Sequence, residues 1–249
     1  MRNALVCIAL LLGTVLIGHA AGEGRKRERT LRLEPAAPVR IDVAVGDVQV
    51  LGSDRADVRV RIDHRAAGGA SLSRVEERID VAPAGLQVSV LQADGAHDAR
   101  LTSTVVIDVP RTQPVAMIAL FEGTLQLRGL SGGVSARVTR GTIEASDVSG
   151  ALRFDTTMGA LRVSLAAGAL TGAVRLRTFN GDIELTLPDM PRSARVLALT
   201  MNGSIDSALP LTVRTTTGPR FSEATFGEAS PVINIDAVNG DIRLATARR

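Results

Sequence analysis

The sequence contains neither tryptophan nor tyrosine, and five phenylalanines are its only other large aromatic side chains among 249 residues. Large compact cores usually depend on such rings, whereas a core of stacked aliphatic side chains does not need them. The hydrophobic fraction of 45% is still enough to bury one sizeable core or to form one elongated repeat domain, and it argues against a disordered chain. The composition therefore favours a repetitive β architecture.

Cysteine is almost absent, and the one that occurs, Cys7, lies in an apolar run from Ala4 to Ile17. Arg2 precedes this run, and Gly18 and Ala20 follow it at the small-residue positions of a cleavage site, which predicts a secretory signal peptide over residues 1–20. An uncleaved anchor is the alternative, but the run is shorter than the ~20 apolar residues that a membrane span needs. We expect a mature chain without thiol or transmembrane segment, in the periplasm or at the cell surface. Disulfides and a cysteine nucleophile are thereby excluded.

Lysine is equally scarce, since Lys26 is the only one and almost every base is arginine. The formal net charge is only +3, so the isoelectric point of about 10.2 reflects arginine chemistry and does not indicate nucleic-acid binding. The basic cluster that begins at Arg25 predicts a solvated tether over residues 21–34. Contact of this tether with an anionic surface is the alternative.

A glycine repeat dominates the second half of the chain. Glycines fall nine residues apart at 132, 141, 150 and 159, and again at 172 and 181, and each precedes an alternating pentad. Alternation with a period of two predicts short strands with one buried face. On equivalent strands we expect Leu125, Ile143, Leu161, Ile183, Ile205 and Ile242 to point inward, and Gln126, Glu144, Arg162, Glu184, Asp206 and Arg243 to point outward.

The corners are of two alternating kinds, so that like corners recur every 18 or 22 residues. This predicts an all-β, β-helix-like solenoid with two short strands per 18–22-residue coil, each coil stacked on the one before it; an antiparallel meander is the alternative.

We predict one domain over residues 35–249, with a less regular β part at 35–120 and regular coils at 121–249. Within the former, SLSRVEER predicts equally well a helical turn or an edge strand. The phrases TFNGDIEL, TMNGSIDS and AVNGDIRL are interpreted as corners at which Asn-Gly supplies positive backbone angles.

Four segments in a fixed order carry a family resemblance: VAVGDVQV, VVIDVPRTQPV, the glycine-headed strands and the closing VNGDIRL. The chain resembles the exported bacterial β-strand-repeat proteins grouped as a putative-adhesin domain of unknown function. The resemblance implies a β-solenoid-like fold, a place outside the cytoplasm and no established enzymatic activity, and it supplies no catalytic residues. The stretch TVRTTTGPRFSEATFGEASPV departs from the pattern, and one coil there is expected to be looped out or irregular.

Catalytic and metal-binding patterns are weak. GLSGG places Ser131 in a nucleophile-elbow string, but the following residues alternate as a strand instead of opening the required helix. His64 and His97 are expected at the surface. Asp182, Glu184 and Asp241 could hold Ca²⁺ or act as a glycosidase pair, but Asp182 and Asp241 belong to the corner phrase, which favours a structural role. We predict no cofactor and no metal.

An outward row of arginines gives the one candidate binding site. We predict that Arg137, Arg153, Arg175 and Arg177 form a face, opposed only by Asp155, that could contact an anionic envelope polymer, lipid headgroups or an envelope protein. A merely solvated face is the alternative. The sequence favours a non-enzymatic exported scaffold or adhesin-like binding protein over a β-helix enzyme acting on acidic polysaccharide, and it leaves the oligomeric state open.

Overall fold

A computed structural model of the protein describes residues 24–95, 97–168, 170–214 and 218–247. The predicted signal peptide lies outside these ranges. The described residues form strands and two 3₁₀ turns (Leu72–Arg74 and Ala93–Gly95) without an α-helix, so the predicted all-β fold is confirmed. None of the described segments is a helix long and apolar enough to cross a membrane.

The strands are numbered in chain order. They are β1 (Gly24–Leu31), β2 (Val39–Ser53), β3 (Val58–Ala66), β4 (Val75–Ala82), β5 (Gly85–Gln92), β6 (Leu101–Pro110), β7 (Val115–Arg128), β8 (Val134–Val148), β9 (Leu152–Met158), β10 (Leu161–Leu165), β11 (Val174–Asn180), β12 (Ile183–Leu187), β13 (Ala194–Asn202), β14 (Ile205–Ser207), β15 (Thr212–Val213), β16 (Arg220–Phe226), β17 (Val232–Asn239) and β18 (Ile242–Thr246).

Strand pairing runs in two ladders. The first ladder follows the order β4, β5, β2, β7, β8, β9, β11, β17, β13, β16 and β15. The second follows the order β1, β3, β6, β2, β7, β8, β10, β12, β18 and β14. The long strands β2, β7 and β8 belong to both ladders and join them into one open sheet. Pairing is parallel through the middle, antiparallel at both ends of the first ladder and at the β1 end of the second, and parallel at its β14 end.

One contiguous cluster of aliphatic side chains forms the core, because alternate residues of every long strand point to the same side. In the second ladder the predicted inward residues stand in register, and all are buried except Ile205, which is half-buried. Their order is Leu125, Ile143, Leu161, Ile183, Ile242 and Ile205. The predicted inward and outward faces are therefore correct.

The order of that column corrects one prediction. We expected each coil to stack on the one before it, but β17 and β18, the last strands of the chain, lie between β11–β12 and β13–β14. The stretch from Thr212, expected to be irregular, supplies the reason. Its strand β16 returns antiparallel along β13 and occupies that strand's outer edge, so the chain can continue only on the other side of β13.

Stacked glycines form the corner where the chain passes from the first ladder to the second. A Cβ on Gly141 would lie 1.7 Å from the carbonyl oxygen of Gly123, and a Cβ on Gly123 would lie 1.7 Å from that of Gly46. Real Cβ contacts begin above 3.0 Å, so this backbone approach admits only glycine. The same contact continues through Gly159, Gly181, Gly240 and Gly203.

The N-terminal part differs from prediction at its first strand and agrees with it at SLSRVEER. Residues Gly24–Leu31 are solvated as expected, but they form strand β1, paired antiparallel with β3, instead of a free tether. In SLSRVEER the side chain of Ser71 caps a single 3₁₀ turn by accepting from the backbone N–H of Ser73 at 3.3 Å, and strand β4 begins at Val75. Both alternatives that the sequence left open are thus realised in succession.

Candidate binding surface

The three Asn-Gly phrases lie side by side at the glycine corner. Asn202 donates its side-chain N–H to the Oδ1 of Asn239 at 2.8 Å, and Asn239 donates to the Oδ1 of Asn180 at 2.7 Å. No asparagine among the described residues has a positive φ, whereas Gly181 and Gly240 do. The Asn-Gly dipeptide therefore supplies the predicted positive angle at Gly181 and Gly240, but not at Gly203. The glycine supplies it, and the asparagine bonds to the next layer.

A second hydrogen-bonded column follows one step beyond the corner. Asp241 Oδ1 accepts from the backbone N–H of Ser204 at 2.7 Å and from its hydroxyl at 2.8 Å, and Asp182 Oδ1 accepts from the backbone N–H of Asp241 at 2.8 Å. The bonds from Ser204 hold the pKa of Asp241 below its ordinary value. These carboxylates satisfy backbone donors between layers, which supports the structural role predicted for them and explains why the phrase recurs.

The arginine face, defined as Arg137, Arg153, Arg175 and Arg177, lies on the outer side of the first ladder on β8, β9 and β11. All four side chains are exposed. Arg153 and Arg175 stand opposite each other in register, so two like charges are neighbours there. The Nε of Arg153 lies 3.2 Å from Asp155 Oδ2, whereas no described carboxylate lies within 4 Å of the other three guanidinium groups.

Two aspartates border this face, one more than predicted. Asp155 stands between Arg137 and Arg177 in register, and Asp236 follows Arg177 on the inserted strand β17. The sequence did not reveal Asp236, because a stack in chain order would have placed β13 next to β11. The arginine face therefore contains four cations with Asp155 among them, and Asp236 bounds it on one side.

A polar groove of about 560 Å³ lies on the outer side of the second ladder. Its floor is a row in register: Gln126, Glu144, Arg162 and Glu184. Gln126 and Arg162 each donate to one oxygen of Glu144 at 3.4 Å, so its carboxylate has a partner on both sides. The groove is thus of mixed charge, unlike the arginine face.

His64 is completely buried, which contradicts its predicted surface position. Its Nδ1 lies 2.8 Å from Ser103 Oγ, its Nε2 lies 3.0 Å from Glu77 Oε2, and Arg27 donates to the other oxygen of Glu77 at 2.9 Å. Burial raises the pKa of Glu77, but the hydrogen bond to His64 and the charge of Arg27 outweigh it and hold the pKa below its ordinary value. Because Ser103 is also buried, this serine, histidine and glutamate network has no exposed nucleophile. The sequence held a signal, since His64 continues the inward alternation of β3.

The other candidate catalytic residues lie apart. Ser131 is in the loop between β7 and β8, where its hydroxyl donates to the carbonyl of Arg111 at 3.2 Å, and no helix follows it. His97 is exposed, as predicted, and its ring meets that of Phe121 edge-on with centroids 3.6 Å apart. In the part of the chain that the structure describes, no three His, Cys, Asp or Glu side chains are grouped to hold a metal ion.

Comparison with known proteins gives one family and several distant folds. The Toastrack DUF4097 family matches residues 112–245. Among solved structures, the chain is similar to a putative cell adhesion protein from Clostridium sporogenes, at 12% identity over 90% of this chain and 100% of that one, with a TM-score of 0.48. It is also similar to a putative adhesin from Bacteroides fragilis, at 11% identity over 90% and 97% of the two chains, with a TM-score of 0.35. No curated protein matches the chain. The match to Toastrack DUF4097 takes in more than half of the sequence and confirms the family resemblance, and the protein therefore belongs to this family.

Proposed function

We propose that the protein is a non-enzymatic, exported, adhesin-like binding protein of the cell envelope, and that it binds an anionic envelope polymer with the arginine face. The observation that carries this proposal is the block of four exposed arginines, three of which have no carboxylate within 4 Å among the described residues. Membership of the Toastrack family and the signal-peptide pattern of residues 1–20 are consistent with it.

The scaffold under this face is a β-solenoid with two short strands per coil. The parallel registers of β8 with β9 and β10, and of these with β11 and β12, support this description, because each step along a ladder advances 18 or 22 residues. The ladder therefore fixes the spacing of the face: equivalent side chains on neighbouring strands stand about 4.8 Å apart.

The chemistry of the face suits an anion with several charges. Arg153 and Arg175 repel each other across one ladder step, and a carboxylate, sulfate or phosphate placed between them would relieve this repulsion. Guanidinium groups donate two parallel hydrogen bonds to such oxyanions. A polymer with regularly spaced anions could follow the ladder across Arg153 and Arg175, which no carboxylate separates.

Binding to dextran sulfate, a soluble anionic polysaccharide, tests this proposal, with neutral dextran as the reference polymer. The double variant Arg153→Gln/Arg175→Gln should bind much more weakly at low salt, and added salt should weaken binding of the parent protein steeply. The matched control, Arg162→Gln/Arg243→Gln, removes the same charge from the outer side of the second ladder and should bind like the parent. Equal binding by both double variants would contradict the proposal.

Export is tested separately. Intact mass spectrometry of the protein from an envelope fraction should give a chain that begins near Ala21, in the periplasm or at the cell surface. A mass that includes residues 1–20 would show that the segment is not cleaved.

A carbohydrate-active enzyme is the second candidate, and the groove on the second ladder is the observation that favours it. Glu144 and Glu184 lie on its floor with Arg162 between them. Glycoside hydrolysis requires two carboxyl groups on either side of the bond that breaks. Release of reducing ends from a panel of acidic polysaccharides, lost in the variant Glu184→Gln, would support the enzyme.

A further inference from the structure

A strip of apolar side chains continues the outer side of the first ladder beyond the arginine face. On β13, alternation points Leu197, Leu199 and Met201 outward, and Phe221 of β16 stands directly opposite Leu199. Phe179 and Met201 are 52% and 46% exposed, and the other members are half-buried. We call Phe179, Leu197, Leu199, Met201, Phe221 and Val238 the apolar strip.

The strip is continuous across three strands. The registers on either side place Val238 at the level of both Phe179 and Met201, so these three side chains follow one another along the corner. Among the described residues eight large apolar side chains are exposed, and two of them, Phe179 and Met201, lie here on either side of β17. Contiguous apolar surface rimmed by polar residues marks an interaction site on a soluble protein.

The strip and the arginine face share strand β11. Arg175, Arg177 and Phe179 point outward at every second residue, so the Cα atoms of Arg177 and Phe179 lie about 7 Å apart on the same face. A long arginine side chain can bend its charged end towards a neighbouring surface while its stem remains against apolar groups. Cations and apolar side chains therefore project from the same edge of the molecule.

The geometry points to an anionic phospholipid bilayer as the partner of this edge, with the arginine face on the lipid phosphates and the apolar strip in the interface. This inference rests on the anion-binding role proposed for the arginine face and adds a lipid surface as a second anionic ligand. An anionic polysaccharide would use the arginines but would gain nothing from leucine, methionine and valine. A lipid interface uses both, because surface charge attracts basic residues and apolar side chains enter the boundary between headgroups and acyl chains.

Vesicle flotation with the mature chain tests this inference. The protein should float with vesicles of phosphatidylcholine mixed with phosphatidylglycerol and should remain behind with vesicles of phosphatidylcholine alone. The variant Phe179→Ser/Met201→Ser should partition roughly tenfold more weakly, because two exposed side chains lose their transfer into the interface. The matched control is Val81→Ser/Leu91→Ser, which changes two exposed apolar residues at the other end of the first ladder and should bind like the parent.

Each result distinguishes the inference from the function on which it rests. Binding to dextran sulfate without binding to anionic vesicles would leave the proposed function standing and overturn the lipid inference. Unchanged flotation of Phe179→Ser/Met201→Ser, or equal flotation with neutral vesicles, would also overturn it. Sedimentation gives one more test. If the parent self-associates and this variant does not, a second copy of the chain covers the strip, and the lipid inference is overturned. Equal urea midpoints for parent and variants would exclude misfolding as the cause of lost flotation.

Discussion

Substitution of alanine for Gly141 should be among the most destabilising single changes in this protein. Gly141 has a φ of +137°, and a Cβ there would lie 1.7 Å from the carbonyl oxygen of Gly123 and 2.8 Å from its carbonyl carbon. Both contacts are to backbone, so no side chain can rotate away. The two layers would have to separate where β7 and β8 pair in register.

The expected cost has two parts. A residue with a side chain forced into this backbone region is strained by about 1–3 kcal/mol. Separation of the layers would weaken one or two ladder hydrogen bonds, at about 1 kcal/mol each, and would loosen the contact between Leu125 and Ile143 behind them. We therefore expect a loss of roughly 3–5 kcal/mol, against a total stability of about 5–15 kcal/mol for a typical domain.

The matched control is Gly69→Ala. Gly69 also has a positive φ, of +77°, but nothing lies within 4 Å of the position that its Cβ would take, so only the left-handed strain of about 1–2 kcal/mol applies. Urea denaturation followed by circular dichroism should give a clearly lower midpoint for Gly141→Ala than for Gly69→Ala, with similar slopes. Equal midpoints would refute the argument, since they would show that the glycine corner does not enforce the close approach of the layers.

Three further predictions use the same measurement of stability. Ile183→Ala should cost about 2–5 kcal/mol because it empties a packed position, whereas Glu184→Ala, one residue on, should cost under about 0.5 kcal/mol; equal losses would mean that the strand register is wrong. Asn239→Ala removes both bonds of the asparagine column and should cost about 1 kcal/mol more than Asn234→Ala, which removes a single 3.3 Å bond; no difference would show that the column contributes nothing. Because the pKa of Glu77 is lowered on folding, its ionised form stabilises the fold above its ordinary value of 4.5, and this contribution disappears as pH falls through the lowered pKa. The parent should therefore lose more stability than Glu77→Gln between neutral and acidic pH, and parallel pH profiles would contradict this.

The strand faces could be predicted from the sequence because they depend on local alternation. Leu161 and Ile183 are buried partners at positions two residues after a glycine, and the same spacing recurs throughout the second half of the chain. The glycine corners were predictable for a related reason, since only glycine adopts the backbone angle that the corner requires. These features are properties of each unit by itself.

The order of the layers could not be predicted in this way. Three phrases present the same asparagine at the same corner, so Asn239 can bond to either neighbour, and the local pattern gives no preference between Asn180 and Asn202. The order is decided by a distant contact, the antiparallel pairing of β16 with β13. Asp236 at the border of the arginine face was missed for this reason.

The buried network was missed for a different reason. His64 occupies an inward position of β3, but its partners Ser103 and Glu77 come from β6 and β4, and no local pattern joins them. A histidine becomes tolerable in a core only when both ring nitrogens have partners. Composition alone therefore favoured a surface position for His64.

The insertion of β17 and β18 makes completion of the stack dependent on strands that come late in the chain order. In a solenoid built in chain order, each coil could dock as soon as the one before it had folded, and loss of the final coil would merely shorten the stack. Here β13 and β14 precede β17 and β18 in the sequence, yet β14 has no pairing partner other than β18 among the described strands. The apolar sides of β13 and β14 stay uncovered until β17 and β18 have docked. The partly folded chain is most exposed to proteolysis and aggregation during that time. A chain truncated before Val232 would lose the layer that joins β11 to β13, and it would leave two unpaired strand edges inside the molecule instead of one at its end.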